Sequence, residues 1–90
     1  MAQLSVHHQV ADYTKWRKVY DEMDAIRRNK FGMTSARVFR TAANPNEIVV
    51  ETEWPTIEQA QAYATSPDLK TGMEKAGVTS QPDVLFLAEL

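Results

Sequence analysis

The sequence predicts an α+β fold, a ferredoxin-like βαββαβ plait that occupies residues 1–90 as one domain. Three features carry that expectation. Residues 4–10, 35–41, 47–54 and 83–89 have strand character, and the first three alternate side chains of different polarity. Between the first and second of these, and between the third and fourth, apolar side chains recur at spacings of three and four, as on an amphipathic helix. The hairpin signal, Asn44-Pro45-Asn46, falls at the middle of the chain. Two right-handed strand–helix–strand crossovers around one central hairpin give a four-stranded antiparallel sheet with its helices on one face.

The first strand places Leu4, Val6, His8 and Val10 on one face and Ser5, His7 and Gln9 on the other. Asp12 is suited to cap the next helix, whose stripe is Tyr13, Trp16, Val19, Tyr20, Met23 and Ile26, and Gly32 is expected to stop it. Arg27, Arg28 and Lys30 then fall at a helix C-terminus, where cations complement the negative end of the helix dipole. In the second strand Ala36, Val38 and Arg40 oppose Arg37 and Phe39; in the third, Ile48, Val50, Thr52 and Trp54 oppose Glu47, Val49, Glu51 and Glu53. Pro55 ends that strand. Thr56 and Gln59 match a capping box before the stripe Ile57, Ala60, Tyr63 and Ala64. Ser66-Pro67-Asp68 restarts a short helix over residues 67–76, and Gly77 closes it, the isolated Gly32, Gly72 and Gly77 reading as helix stops or breaks. The run Val84-Leu85-Phe86-Leu87 predicts a last strand buried on both faces.

Composition narrows the function classes. An apolar fraction of 43% with 24% charged residues is that of a folding chain, and 90 residues should bury roughly 64% of their unfolded surface. The absence of cysteine excludes a disulfide staple, a thiolate nucleophile and a thiolate metal site. No apolar run reaches membrane length and the N-terminus lacks an export pattern, so the expected location is cytoplasmic. A net charge of -2 argues against nucleic acid, although residues 1–40 carry +4 and residues 41–90 carry -6. That asymmetry is read as separately solvated faces. There is no glycine-rich phosphate loop and no serine elbow.

The outer face of the sheet is where a partner is expected. Alternation places Phe39, Val49 and either Leu85 with Leu87 or Val84 with Phe86 there, an apolar patch that needs cover. A second copy packed sheet to sheet about a twofold axis supplies it, so the expected partner is the chain itself, as a homodimer.

On the inner face the side chains with chemistry are few. His7 and His8 are adjacent but point to opposite faces of their strand, so they cannot share an ion, and no metal site is expected. His8 belongs with the apolar face that meets the helical stripe of Trp16, Tyr20 and Met23. A buried histidine is commonly a satisfied core residue, yet His8 is also the side chain best suited to act as a general base near neutral pH. Trp16, Tyr20, Trp54 and Tyr63 could converge with it between sheet and helices, as core or as the polar-tipped wall of a ligand pocket. One arginine should lie on the same side of the sheet: Arg40 if Val38 faces the helices, Arg37 if Phe39 does. That arginine could bind an anionic ligand or pair with a glutamate such as Glu51 or Glu53, and Arg40 is the ligand candidate.

The strings Val10-Ala11-Asp12-Tyr13-Thr14-Lys15-Trp16, Arg37-Val38-Phe39-Arg40, Asn44-Pro45-Asn46-Glu47, Glu53-Trp54 and Ser66-Pro67-Asp68-Leu69-Lys70, with Met73 and Ala76-Gly77-Val78, resemble the dimeric α+β barrel proteins. Within them the chain is most similar to the small antibiotic-biosynthesis-monooxygenase-like or cyclase-like group. The resemblance spans nearly the whole chain and lies in strand, turn and cap residues. It implies the dimer, and it implies cofactor-independent oxygenase or cyclase-like chemistry on a small aromatic or polyketide-like ligand. His8 would be the catalytic base and Trp16, Tyr20, Trp54, Tyr63 and Arg40 the ligand contacts, with no metal and no bound cofactor. A binding module without turnover and a purely dimerising protein are the alternatives.

Overall fold

A computed structural model describes residues 1–90. The elements are β1 (Ala2–Gln9), α1 (Tyr13–Glu22), a π-helical turn (Ile26–Lys30), β2 (Ser35–Arg40), β3 (Glu47–Trp54), α2 (Ile57–Ala64), α3 (Pro67–Ala76) and β4 (Asp83–Ala88). The sheet order is β2-β3-β1-β4 and every neighbouring pair is antiparallel. Each crossover therefore skips one strand, as the plait requires.

Caps set the helix boundaries. The Asp12 carboxylate accepts the Thr14 amide at 2.9 Å, and the Thr56 hydroxyl oxygen accepts the Gln59 amide at 3.2 Å. Ser66 does two jobs at once: its Oγ accepts the Leu69 amide at 3.2 Å and donates to the Tyr63 carbonyl at 2.6 Å, linking the end of α2 to the start of α3. Gly77, with φ of 79°, ends α3 in the left-handed region where a side chain would be strained.

Register decides the two faces. Leu4 pairs with Thr52, Val6 with Val50 and His8 with Ile48, and Val38 pairs with Val50. All of these point at the helices. One core cluster gathers Leu4, Val6, Met33, Trp54, Ala60 and Tyr63, and a second gathers Val10, Trp16, Val19, Ile48, Val50 and Ala76. Trp54 is fully buried, with its indole N–H donating to Thr52 Oγ1 at 2.8 Å; the Thr52 hydroxyl in turn donates to the Leu4 carbonyl.

Four sequence expectations are corrected. The first helix does not run unbroken to Gly32: α1 ends at Glu22 and the chain turns at Met23 before the π-helical turn. Ile26, assigned to the apolar stripe, is exposed, and Arg27 is buried in its place. The Arg27 amide still donates to the Met23 carbonyl at 3.1 Å, so the stripe Trp16, Tyr20, Met23 continues at a spacing of four onto Arg27. Gly72 is no helix break; it lies inside α3, where a Cβ would collide with the Met23 thioether. Within a single chain β4 is exposed on both faces, because it is an edge strand that the helices reach only partly.

Because Trp54 closes one core cluster and also satisfies Thr52, its loss should be felt globally. Trp54→Ala is expected to lower the unfolding free energy by about 3–5 kcal/mol in urea titrations.

Candidate functional site

Between the sheet and the helices α1 and α3 is a cavity of about 50 Å³. Strand β1 and its partner β3 supply the floor, with Val6, His8, Val50 and Thr52; α1 supplies Trp16 and Tyr20, and Met23 follows from the turn just after it; α3 supplies Leu69 and Met73. Tyr63 from α2 and Arg27 from the π-helical turn complete the wall.

Four side chains expected here, His8, Trp16, Tyr20 and Tyr63, are brought together. His8 is 4% exposed, and neither of its ring nitrogens has a hydrogen-bond partner. Its ring lies 5.7 Å from that of Trp16, which stacks on Tyr20 at 4.9 Å. The Tyr20 hydroxyl is buried and also without a partner. His7 sits on the opposite sheet face, 3.5 Å from a Glu47 carboxylate oxygen.

Two expected residues lie elsewhere. Trp54 faces the helices, but its indole N–H is used by Thr52 and its ring stacks on Tyr63 at 5.3 Å, behind the cavity wall. Arg40 shares the inward face of Val38, yet it ends an edge strand, and its guanidinium lies over the Tyr13 ring at 4.3 Å on the exposed rim.

The arginine at the cavity is Arg27, which sequence reasoning assigned to a solvated helix end. It is 2% exposed. Its Nη2 donates to the Tyr20 carbonyl at 2.6 Å and its guanidinium carbon lies 3.8 Å from the centre of the Tyr20 ring, a desolvated cation–π contact. Its neighbours Arg28 and Lys30 do behave as surface cations, paired with Asp24 at 2.9 Å and Asp68 at 2.6 Å. A signal for Arg27 exists in the spacing: residues 16, 20, 23 and 27 form one helical stripe, and a cation in that series is out of place unless it has a buried role.

Burial controls the protonation states. Desolvation, reinforced by the neighbouring His7, lowers the His8 pKa to about 4, so the imidazole is neutral at physiological pH. Burial pushes the Tyr20 and Tyr63 phenols above their ordinary value, and Arg27 offsets part of each rise. No group of three or more His, Asp or Glu side chains is placed to hold a metal ion. No helix is long and apolar enough to cross a membrane.

The lowered His8 pKa has a thermodynamic sign. Between its unfolded value of 6.5 and the folded value of about 4, the unfolded chain takes up a proton that the folded chain refuses. The cost of withholding that proton is therefore absent above pH 6.5 and grows as pH falls towards 4, approaching about 3 kcal/mol. Denaturant titrations should show that difference between the wild type and His8→Phe, whose stability lacks this dependence over the same window.

No protein-family model matches the chain, and no curated protein matches its sequence. Solved structures do match in three dimensions. A candidate antibiotic biosynthesis monooxygenase from Bordetella bronchiseptica superposes with a TM-score of 0.81 at 12% identity, covering 99% of this chain and 96% of that one. SnoaB, a cofactor-independent oxygenase from Streptomyces nogalater, superposes with a TM-score of 0.75 at 13% identity, covering 99% and 94%. A candidate antibiotic biosynthesis monooxygenase from Caulobacter crescentus superposes at 0.79 with 12% identity, covering 99% and 89%. The chain thus has the βαββαβ fold that these antibiotic biosynthesis monooxygenase structures share.

Proposed function

We propose that the protein is a small-molecule enzyme of the cofactor-independent oxygenase or cyclase-like kind, acting on an aromatic or polyketide-like phenol or enol. The observation that carries this reading is His8: a neutral imidazole at the cavity wall whose two nitrogens no protein group uses. Folding rarely leaves a buried ring in that state without a compensating role. The fold shared with SnoaB supports the reaction class.

The chemistry follows from the wall. A His8 nitrogen takes the proton of a bound O–H or C–H acid, and the electron pair stays on the substrate as an enolate or phenolate. The Tyr20 hydroxyl and the Arg27 guanidinium face the same cavity and stabilise that negative charge where water is excluded. A base with a pKa of about 4 is weak in the empty site. The developing oxyanion beside it strengthens it, since an adjacent negative charge favours the imidazolium. The carbanion carbon then holds the electrons needed to reduce dioxygen or to attack a carbonyl carbon of the same molecule. A space of 50 Å³ is well below the roughly 300–1,000 Å³ of ligand pockets, so entry of such a substrate requires movement of Met23, Leu69 and Met73. Unbranched thioethers are suited to that.

The low basicity of His8 favours one other reading, a binding protein of the same pocket without turnover. Oxygen uptake or product formation with a fused-ring phenol or quinol, compared with a protein-free control, separates the two. For the enzyme, His8→Ala should lower turnover by about 100- to 10,000-fold while His7→Ala leaves it unchanged. Saturable binding with no turnover above the control would support the binder instead.

We also propose that two copies pack outer face to outer face. Register puts Phe39, Leu85 and Leu87 on the side away from the helices, with Leu85 at 61% exposure, and edge strand β4 presents Val84 and Phe86 as well. Light scattering at micromolar concentration should give twice the 10.2 kDa chain mass, and Leu85→Arg should give the single mass.

A further inference from the structure

We propose that the cavity recognises a carboxylate, with Arg27 as the residue that holds it. The inference deepens the reading of the cavity as a ligand site and depends on that reading. Its basis is the state of the guanidinium. Arg27 is 2% exposed and is the one Lys or Arg side chain in the cavity wall. A cation taken out of water is costly unless it is paired. The pairing here is thin: the nearest carboxylate oxygen, on Asp24, is 3.8 Å away, and that side chain is 43% exposed and already bound by Arg28 at 2.9 Å. One Nη2 donor meets the Tyr20 carbonyl, the guanidinium also acts on the neutral Tyr63 hydroxyl, and the Nε–H has no acceptor at all.

The missing partner has a definable chemistry. It must accept hydrogen bonds and carry negative charge. A carboxylate meets both needs, because its two oxygens match adjacent N–H groups of a guanidinium fork. The Tyr20 hydroxyl, also buried without a partner, is a further donor on the same wall, and the adjoining Trp16 and Met73 surfaces suit a flat apolar body. A neutral amide of the same shape would oppose N–H donors to N–H donors along one edge, and would leave the cation uncompensated. The cavity therefore selects by charge as well as by shape.

The test uses the intact protein under argon, so that no turnover contributes, with benzoate and benzamide as probes of equal shape and opposite headgroup character. Tryptophan fluorescence and thermal unfolding are followed as each is titrated. Benzoate is expected to bind saturably, at least tenfold more tightly than benzamide. Arg27→Gln should remove that preference and Arg27→Lys should retain part of it. Tyr20→Phe, which deletes only the hydroxyl, should weaken benzoate several-fold and leave benzamide unchanged. If Arg27→Gln does not fold, the wild-type comparison and Tyr20→Phe decide the matter alone. Equal affinity for the two probes, or no binding of benzoate at tens of millimolar, would overturn the proposal. Benzoate selectivity in a protein with no turnover keeps the carboxylate site and sinks only the enzyme reading. Turnover of a neutral phenol without benzoate selectivity does the reverse.

Discussion

The pairing register of β1 with β3 is the constraint on which the rest of the structure depends. Because side chains alternate along a strand, Val6 opposite Val50 obliges His8 to lie beneath the helices and His7 to lie on the outer face. A slip of one residue would bury Ser5 and His7 instead and expose Leu4 and Val6. The apolar residues of β1 thus hold the register, and the chemistry of β1 is positioned by them. The same argument through Val38 opposite Val50 turns Arg40 towards the helices and Phe39 away from them.

The cavity is where the fold departs from a satisfied interior. Most buried polar groups in this chain have partners: Thr52 with Trp54 and Leu4, Ser66 with Tyr63 and Leu69. The exceptions are four atoms, the two nitrogens of His8, the Tyr20 hydroxyl and the Arg27 Nε, and all belong to residues of one cavity wall. At on the order of 1–3 kcal/mol each, they are comparable to the whole net stability of a domain this size, roughly 5–15 kcal/mol. Such a concentration of unmet polar groups fits a site organised for a ligand better than it fits core packing. The helical segments around the cavity are irregular. The Met23 thioether lies against Gly72, and the π-helical turn begins where Arg27 points inward; helix irregularities of this kind are frequent at functional sites.

The two sheet faces divide the work. The inner face holds the core clusters and the cavity, whereas the outer face carries Glu47, Glu51 and Arg37 beside Phe39, Leu85 and Leu87. A glutamine from β1, Gln3, donates to Glu51 at 3.1 Å, so the polar strip has local order while the apolar strip stays uncovered within one chain. β4 lies at the junction, its four consecutive apolar residues exposed on both faces within one chain.

By itself the sequence determined the element order, the caps at Asp12, Thr56 and Ser66, the hairpin at Asn44 to Asn46, and the face on which His8 lies. These follow from local periodicity and turn chemistry, which act over a few residues and do not depend on the rest of the chain. The tertiary structure alone decided which polar tips would be used and which left open. Trp54 and Tyr20 look alike as inward aromatic residues, yet the indole finds Thr52 two residues back along its own strand while the phenol finds nothing. Arg27 and Arg28 are adjacent cations in the sequence, and only the packing of the turn after Met23 sends one into the interior and the other to Asp24. Burial is a property of what surrounds a side chain in space, and a one-dimensional pattern records it only where the period is strict. It was strict in the strands and was interrupted at the turn that carries Arg27.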